Sequence, residues 1–166
     1  MIEKLVQALQ GLPAELIVII ISASPISELR GGIPVGIALY NFSVLKSFLL
    51  AVVGNSIPVI PLLLFFKPVS EFLSRWGPLK KFLDWFFERT KKRAKIVERY
   101  EAIGLALFVA VPLPLTGAWT GCIVAMLFKL KFKYSVIAII SGVFIAGIIV
   151  AILSVAGIGM IQYFQK

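Results

Sequence analysis

Apolar and polar positions fall along this chain in long blocks rather than alternating residue by residue. Uncharged stretches cover 16–27, 31–45, 47–66, 102–128 and 134–165, and the charges collect between them. A helix that crosses a bilayer needs about 20 apolar residues. Ser47 to Phe66 meets that length, although Pro58 and Pro61 are expected to bend or interrupt it. Tyr134 to Gln165 is long enough for one tilted crossing and an interfacial tail.

The remaining apolar stretches have a different design. Leu16–Ser27 and Gly31–Leu45 are separated by Glu28-Leu29-Arg30, and neither half crosses comfortably alone. Ala102 to Phe128 is broken by Pro112-Leu113-Pro114 and by Gly117. Each has an apolar half, a Pro/Gly-rich break and a second half. Twelve helical residues reach about 18 Å, a little past the middle of a hydrocarbon core about 30 Å thick. That reach suits a hairpin that dips into the membrane and returns to the same side; a single kinked helix is the alternative.

Charge discriminates between the two. Ten of the 17 Lys and Arg residues lie between Lys67 and Arg99, and Lys129, Lys131 and Lys133 form a second cluster. With 67–101 in the cytoplasm, a dipping hairpin over 102–128 returns the three lysines to the same side, whereas a single crossing exports them. Basic residues favour the cytoplasmic face, which selects the hairpin. The first hairpin then enters from the outer face and the second from the inner face. The expected fold is therefore an all-α polytopic membrane protein with an inverted repeat of two re-entrant helical hairpins, plus full transmembrane helices. It forms one membrane domain, with a first repeat at 15–66 and a second at 102–166. Residues 1–14, with Ile2, Leu5, Leu9 and Leu12 on one face, predict an interfacial helix rather than a signal peptide. In the basic segment, Phe72, Trp76, Leu79, Leu83 and Phe86 make one apolar stripe, expected to lie on the inner membrane surface or to pack on the membrane core.

Composition narrows the function. Hydrophobic residues make up 60% of the chain and mean hydropathy is +0.99, so the net charge of +9 points to anionic headgroups rather than to nucleic acid. The absence of histidine excludes Ser-His and Cys-His nucleophiles and histidine-ligated metals, and the single Cys122 excludes a Cys-rich metal site. No cofactor is expected, and an enzyme is the least favoured class. The small chain points to a homodimer.

Glu28 and Arg30 are the only charges between Leu16 and Leu45. Charges at the tip of a hairpin are costly and mark substrate paths, ion sites or proton relays; a mutual ion pair that holds the hairpin shut is the plainer reading. Carboxyls in low dielectric favour the protonated form, which makes Glu28 the proton-coupling candidate. Gly31 and Gly32 are expected to supply the backbone freedom of the break, and Pro34 the first turn of the returning half-helix. Thr116 is expected to N-cap the helix after the second break. Each tip would present a helix N-terminus that attracts anions, the two tips meeting in a polar spot at mid-membrane. Arg30 would add a phosphate-type donor, while Trp119 and Tyr40 would line an apolar wall. Gly142, Ala146 and Gly147 are read as close-packing residues.

The segments Ile26-Ser27-Glu28-Leu29-Arg30-Gly31-Gly32-Ile33-Pro34-Val35-Gly36 and Pro112-Leu113-Pro114-Leu115-Thr116-Gly117-Ala118-Trp119-Thr120-Gly121 resemble the two signature segments of the small multidrug export protein family. That family is regarded as a distant relative of the DedA and vacuole-membrane-protein superfamily. The resemblance implies two facing re-entrant hairpins and transport, with DedA relatives linked to proton-dependent flipping of polyprenyl-phosphate lipids and eukaryotic relatives to phospholipid scrambling. On this reading Arg30, Gly31, Gly32, Pro34, Pro112, Pro114, Thr116, Gly117, Trp119 and Thr120 contact substrate. DedA proteins carry arginines in the second motif, whereas residues 112–121 here have no charge. The expected function is transport across the cytoplasmic membrane of an amphiphilic or lipid-linked substrate such as a polyprenyl-phosphate or phospholipid, coupled to protons or another ion. Export of lipophilic cations and a non-transporting scaffold are the alternatives.

Overall fold

The computed structural model describes residues 9, 11–65, 88, 95–113 and 116–164. The expected interfacial helix at 1–14 and basic amphipathic segment at 67–101 fall largely outside them. Helices dominate and no strand occurs among the described residues: α1 (Ala14–Ala23), α2 (Glu28–Pro34) continuing as a π-helical turn over Val35–Leu39, α3 (Val44–Ser56), α4 (Lys95–Ala110), α5 (Ala118–Leu127) and α6 (Phe132–Phe164).

Local chemistry sets the boundaries. Pro13 precedes α1 where no donor is needed, and Ser24 leaves it in an extended conformation (ψ 143°) because Pro25 follows. Within α2, Pro34 removes one backbone donor, and the ladder continues in a wider register through the Tyr40 N–H to Val35 C=O bond of 3.2 Å. Asn41 then takes a left-handed turn (φ 51°), and the Ser43 hydroxyl caps α3 by accepting the Lys46 N–H at 3.2 Å. The α3 helix is interrupted at Ile57-Pro58, as its prolines predict, and resumes to Phe65. Residues 111–117 are non-helical wherever described, so the expected break between α4 and α5 is present. Gly117, at φ 140°, occupies a conformation closed to other residues.

Two helical spans, Val44–Phe65 and Phe132–Gly157, are long and apolar enough to cross a membrane. Only 28% and 44% of their most apolar windows are buried, whereas a soluble core helix would be mostly covered. Leu49, Val53, Ile57, Ile60 and Leu64 stand exposed on the first, and Ile137, Phe144, Ile148 and Ile152 on the second. Apolar surface this continuous requires a non-aqueous surrounding.

The chain forms two compact units, one comprising Met1–Ile57 and Val143–Lys166 and the other Pro58–Gly142. In the first, small residues bring α1, α2 and α3 together. A Cβ on Gly31 would meet Ser27 Cβ at 2.6 Å, one on Gly32 would collide with Ser22 Oγ, and one on Gly36 would lie 2.6 Å from Ser47 Oγ. Gly54 rests directly on the Ile19 backbone carbonyl, and Gly147 on the Phe48 ring, which stacks edge-on with Phe144 at 5.1 Å. In the second unit Gly121 packs on Val109, and Gly142 on the Ala106 carbonyl. The expected close-packing role of Gly142 and Gly147 is borne out.

This geometry revises two expectations. Gly31 and Gly32 are not the break: they lie inside α2, where lack of a side chain permits close approach, and the chain turns earlier, at residues 24–27. Pro34 is the seventh residue of its helix, not part of a first turn.

Candidate functional site

The charged pair lies at the start of α2. Glu28 is 6% exposed, and its backbone has φ 47° because it receives the chain from the turn at residues 24–27 before helical geometry begins. Two residues apart on a regular helix would point away from each other. The left-handed conformation of Glu28 changes that, and its Oε2 sits 3.8 Å from Arg30 Nη2. Their side chains differ in exposure, 8% for Glu28 against 34% for Arg30. At 3.8 Å this is an ion pair without the short hydrogen bond of a locked bridge.

Other polar groups are buried in the same unit. Ser22 Oγ donates to the Val18 carbonyl at 2.8 Å, and its side chain separates Gly32 of α2 from Gly54 of α3. Asn55 is 1% exposed and Ser47 is fully buried. Neither Asn55 Oδ1, Asn55 Nδ2 nor Ser47 Oγ has a hydrogen-bond partner among the described residues. Buried polar atoms are nearly always satisfied, so the three unmet atoms set Ser47 and Asn55 apart as unusual polar positions on the packed side of an apolar helix. Neither charge nor motif singles out Asn55 in the sequence. Its signal is a lone carboxamide in an uncharged crossing-length stretch.

At the edge of this unit Lys46 binds Glu15 at 2.7 Å and lies 3.9 Å over the Phe42 ring. The Lys46 ammonium, hydrogen-bonded to the Glu15 carboxyl, holds it below the usual carboxylate range.

Glu28, Arg30, Gly31, Gly32 and Pro34 thus share one short helix. Pro112, Thr116, Gly117, Trp119 and Thr120 lie in or beside the break between α4 and α5, in the other unit, and Pro114 is outside the described residues. Thr116 is not the N-cap of α5, a position held by Gly117 without a side-chain bond. Its hydroxyl turns back, donating to the Val111 carbonyl (2.6 Å) or the Leu113 carbonyl (2.8 Å) and accepting the Leu113 N–H (3.0 Å). It stabilises the break instead of the helix. Thr120 Oγ1 donates to the Gly117 carbonyl at 3.3 Å, and Trp119 is half-buried. No cluster of three or more His, Cys, Asp or Glu side chains able to hold a metal occurs among the described residues.

No curated protein and no solved structure matches the chain. Residues 28–149, which run from the buried glutamate through the break at 111–117 into α6, match the family of small multi-drug export proteins. That match covers most of the sequence and agrees with the two apolar spans: the chain is a membrane protein and belongs to the small multi-drug export family.

Proposed function

We propose that the protein is a transporter of the cytoplasmic membrane that moves an amphiphilic substrate across the bilayer, with Glu28 exchanging between a proton and a charged partner. The loose Glu28–Arg30 pair carries this reading. A purely structural bridge would gain most from short, bidentate contact, whereas this pair stands 3.8 Å apart with an unequally exposed arginine. The positive φ of Glu28 stores strain of the kind found at working sites.

In this proposal α1 with α2, and α4 with α5, are re-entrant hairpins of opposite orientation. The ten residues of α1 and of α5 support it, since each reaches only about 15 Å, half of a hydrocarbon core. The charge distribution supports placing the basic segment and Lys129, Lys131 and Lys133 on the cytoplasmic side. The substrate is a phospholipid or lipid-linked phosphate held by Arg30 when Glu28 is protonated. A second reading, export of lipophilic cations, draws on the family name and on the same pair: Arg30 would be the resting partner that the cation displaces from Glu28.

Reconstituted vesicles with an imposed pH gradient test both. Glu28→Gln should abolish movement of a fluorescent phospholipid and of ethidium while the melting temperature is kept. Arg30→Gln should stop lipid movement but spare ethidium if the cation reading holds. Wild-type transport by Glu28→Gln would defeat the proposal.

A further inference from the structure

The second unit contains a cavity of about 480 Å³ whose lining includes Tyr100, Glu101, Lys129, Lys131 and Tyr134. Its volume lies in the range typical of small-molecule sites, about 300–1,000 Å³. One wall is the break in α4 at Glu101, and the other is the link between α5 and α6. Beyond it, Tyr100–Ala110 and Phe132–Gly157 are apolar, so the cavity sits where apolar helices meet polar surroundings, the level at which tyrosines concentrate.

Both walls are held in an unfavourable backbone conformation. Glu101 (φ 45°) and Lys129 (φ 52°) are two of the four non-glycine residues with positive φ among those described. Lys129 ends α5 in a paired closure, its N–H bonding the Met126 carbonyl at 3.0 Å and that of Leu130 the Ala125 carbonyl at 2.9 Å. Glycine is the ordinary occupant of that position, and a lysine there is strained. Strain of this kind persists where it places a group. The lining residues Lys129, Lys131 and Glu101 carry two ammoniums and one carboxylate, and among the described residues no ion pair joins Glu101 to Lys129 or Lys131. Ile103 and Phe128 supply an apolar side to the same cavity.

We propose that this cavity binds a phospholipid headgroup carrying both a phosphate and a primary ammonium. Lys129 and Lys131 take the phosphate, Glu101 takes the ammonium, and the glycerol and first acyl carbons lie along Ile103 and Phe128. A glycerol headgroup would leave Glu101 without a counter-charge. A trimethylammonium would offer that carboxylate no hydrogen-bond donor. The site is independent of Glu28.

The test titrates the full chain, in non-ionic detergent, with short-chain phosphatidylethanolamine, phosphatidylglycerol, phosphatidylcholine and inorganic phosphate, reading bound ligand by native mass spectrometry. Phosphatidylethanolamine should bind about tenfold more tightly than the other two lipids, the worth of one charge-assisted hydrogen bond. Glu101→Gln should erase that preference. Lys129→Gly should weaken binding about tenfold yet melt no lower than wild type, because glycine relieves the positive φ. Equal binding of all three lipids, insensitivity to Lys129→Gly, or inorganic phosphate competing as well as the lipid would overturn the proposal.

Discussion

Asn55→Leu sets stability against function, and the structure gives the size of the effect. Leucine keeps the branched skeleton of asparagine with two methyls in place of the amide atoms, so the substitution removes two polar atoms from a buried place without opening a cavity, at the cost of fitting a larger side chain. Neither Oδ1 nor Nδ2 has a partner among the described residues, and the residue is 1% exposed. An unmet buried polar group costs about 1–3 kcal/mol. Taking the low end for each atom, adding about 0.5 kcal/mol for the better helix propensity of leucine and subtracting about 1 kcal/mol for its larger volume leaves roughly 1.5 kcal/mol of stabilisation. For a chain of this size that corresponds to a rise in melting temperature of about 3–6 °C. The assay is thermal unfolding of purified protein in detergent, beside transport in vesicles. The expected outcome, if the carboxamide serves the proposed transport, is a more stable protein that no longer transports. A fall in melting temperature of similar size would show that the carboxamide is satisfied in the membrane and would refute the reasoning.

Two further expectations concern packing and charge. Gly142→Ala would bring a methyl within 2.6 Å of the Ala106 carbonyl and 2.7 Å of Val109 Cβ, neither a flexible chain end, and should destabilise by about 1–3 kcal/mol in a thermal melt. Gly157→Ala meets nothing within 4 Å and should be neutral or stabilising by up to about 1 kcal/mol, so opposite signs check the packing argument. The Glu15–Lys46 pair lowers the Glu15 pKa from 4.5, so its contribution is present above that pH and is lost as pH falls through the lowered folded value. The melting-temperature difference between wild type and Glu15→Gln should therefore be small but measurable at pH 7 and vanish in acid; a difference that grows in acid would contradict it.

The spans and breaks were legible because a bilayer converts apolar run length into reach, and because proline leaves a missing donor wherever it falls. Val44–Phe65, its interruption at Pro58 and the break beyond Ala110 all followed from that. What each glycine does was not legible. Gly31 and Gly32 suit a turn by residue type, but the turn forms at Ser24–Ser27, where Pro25 forces the preceding residue out of helix and serines bond back to the chain through Ser24 Oγ. Thr116 likewise has the composition of an N-cap and uses its hydroxyl for the preceding loop. In both cases several local bonds are chemically equivalent from sequence, and the tertiary packing chooses among them. The isolation of Asn55 and the cavity at Lys129 depend on neighbours distant in sequence, which periodicity does not encode.

The placement of Glu28 shows how these levels combine. Its burial requires α2 to lie close against its neighbours, and that approach is possible only because Gly31, Gly32 and Gly36 present no side chain toward Ile21, Ser22, Ser27 and Ser47. Its meeting with Arg30 requires that it not yet be helical, which the turn before it ensures. Were Glu28 to adopt ordinary helical angles, the acid and the base would point to different sides of α2 and lose this contact. The glycines and the turn thus fix one charge inside the protein and leave its partner a third exposed, 3.8 Å away. Substituting Gly32 by alanine should therefore impair the proposed transport by displacing the pair; undiminished transport in Gly32→Ala vesicles would show that the packing of α2 and the state of Glu28 are uncoupled.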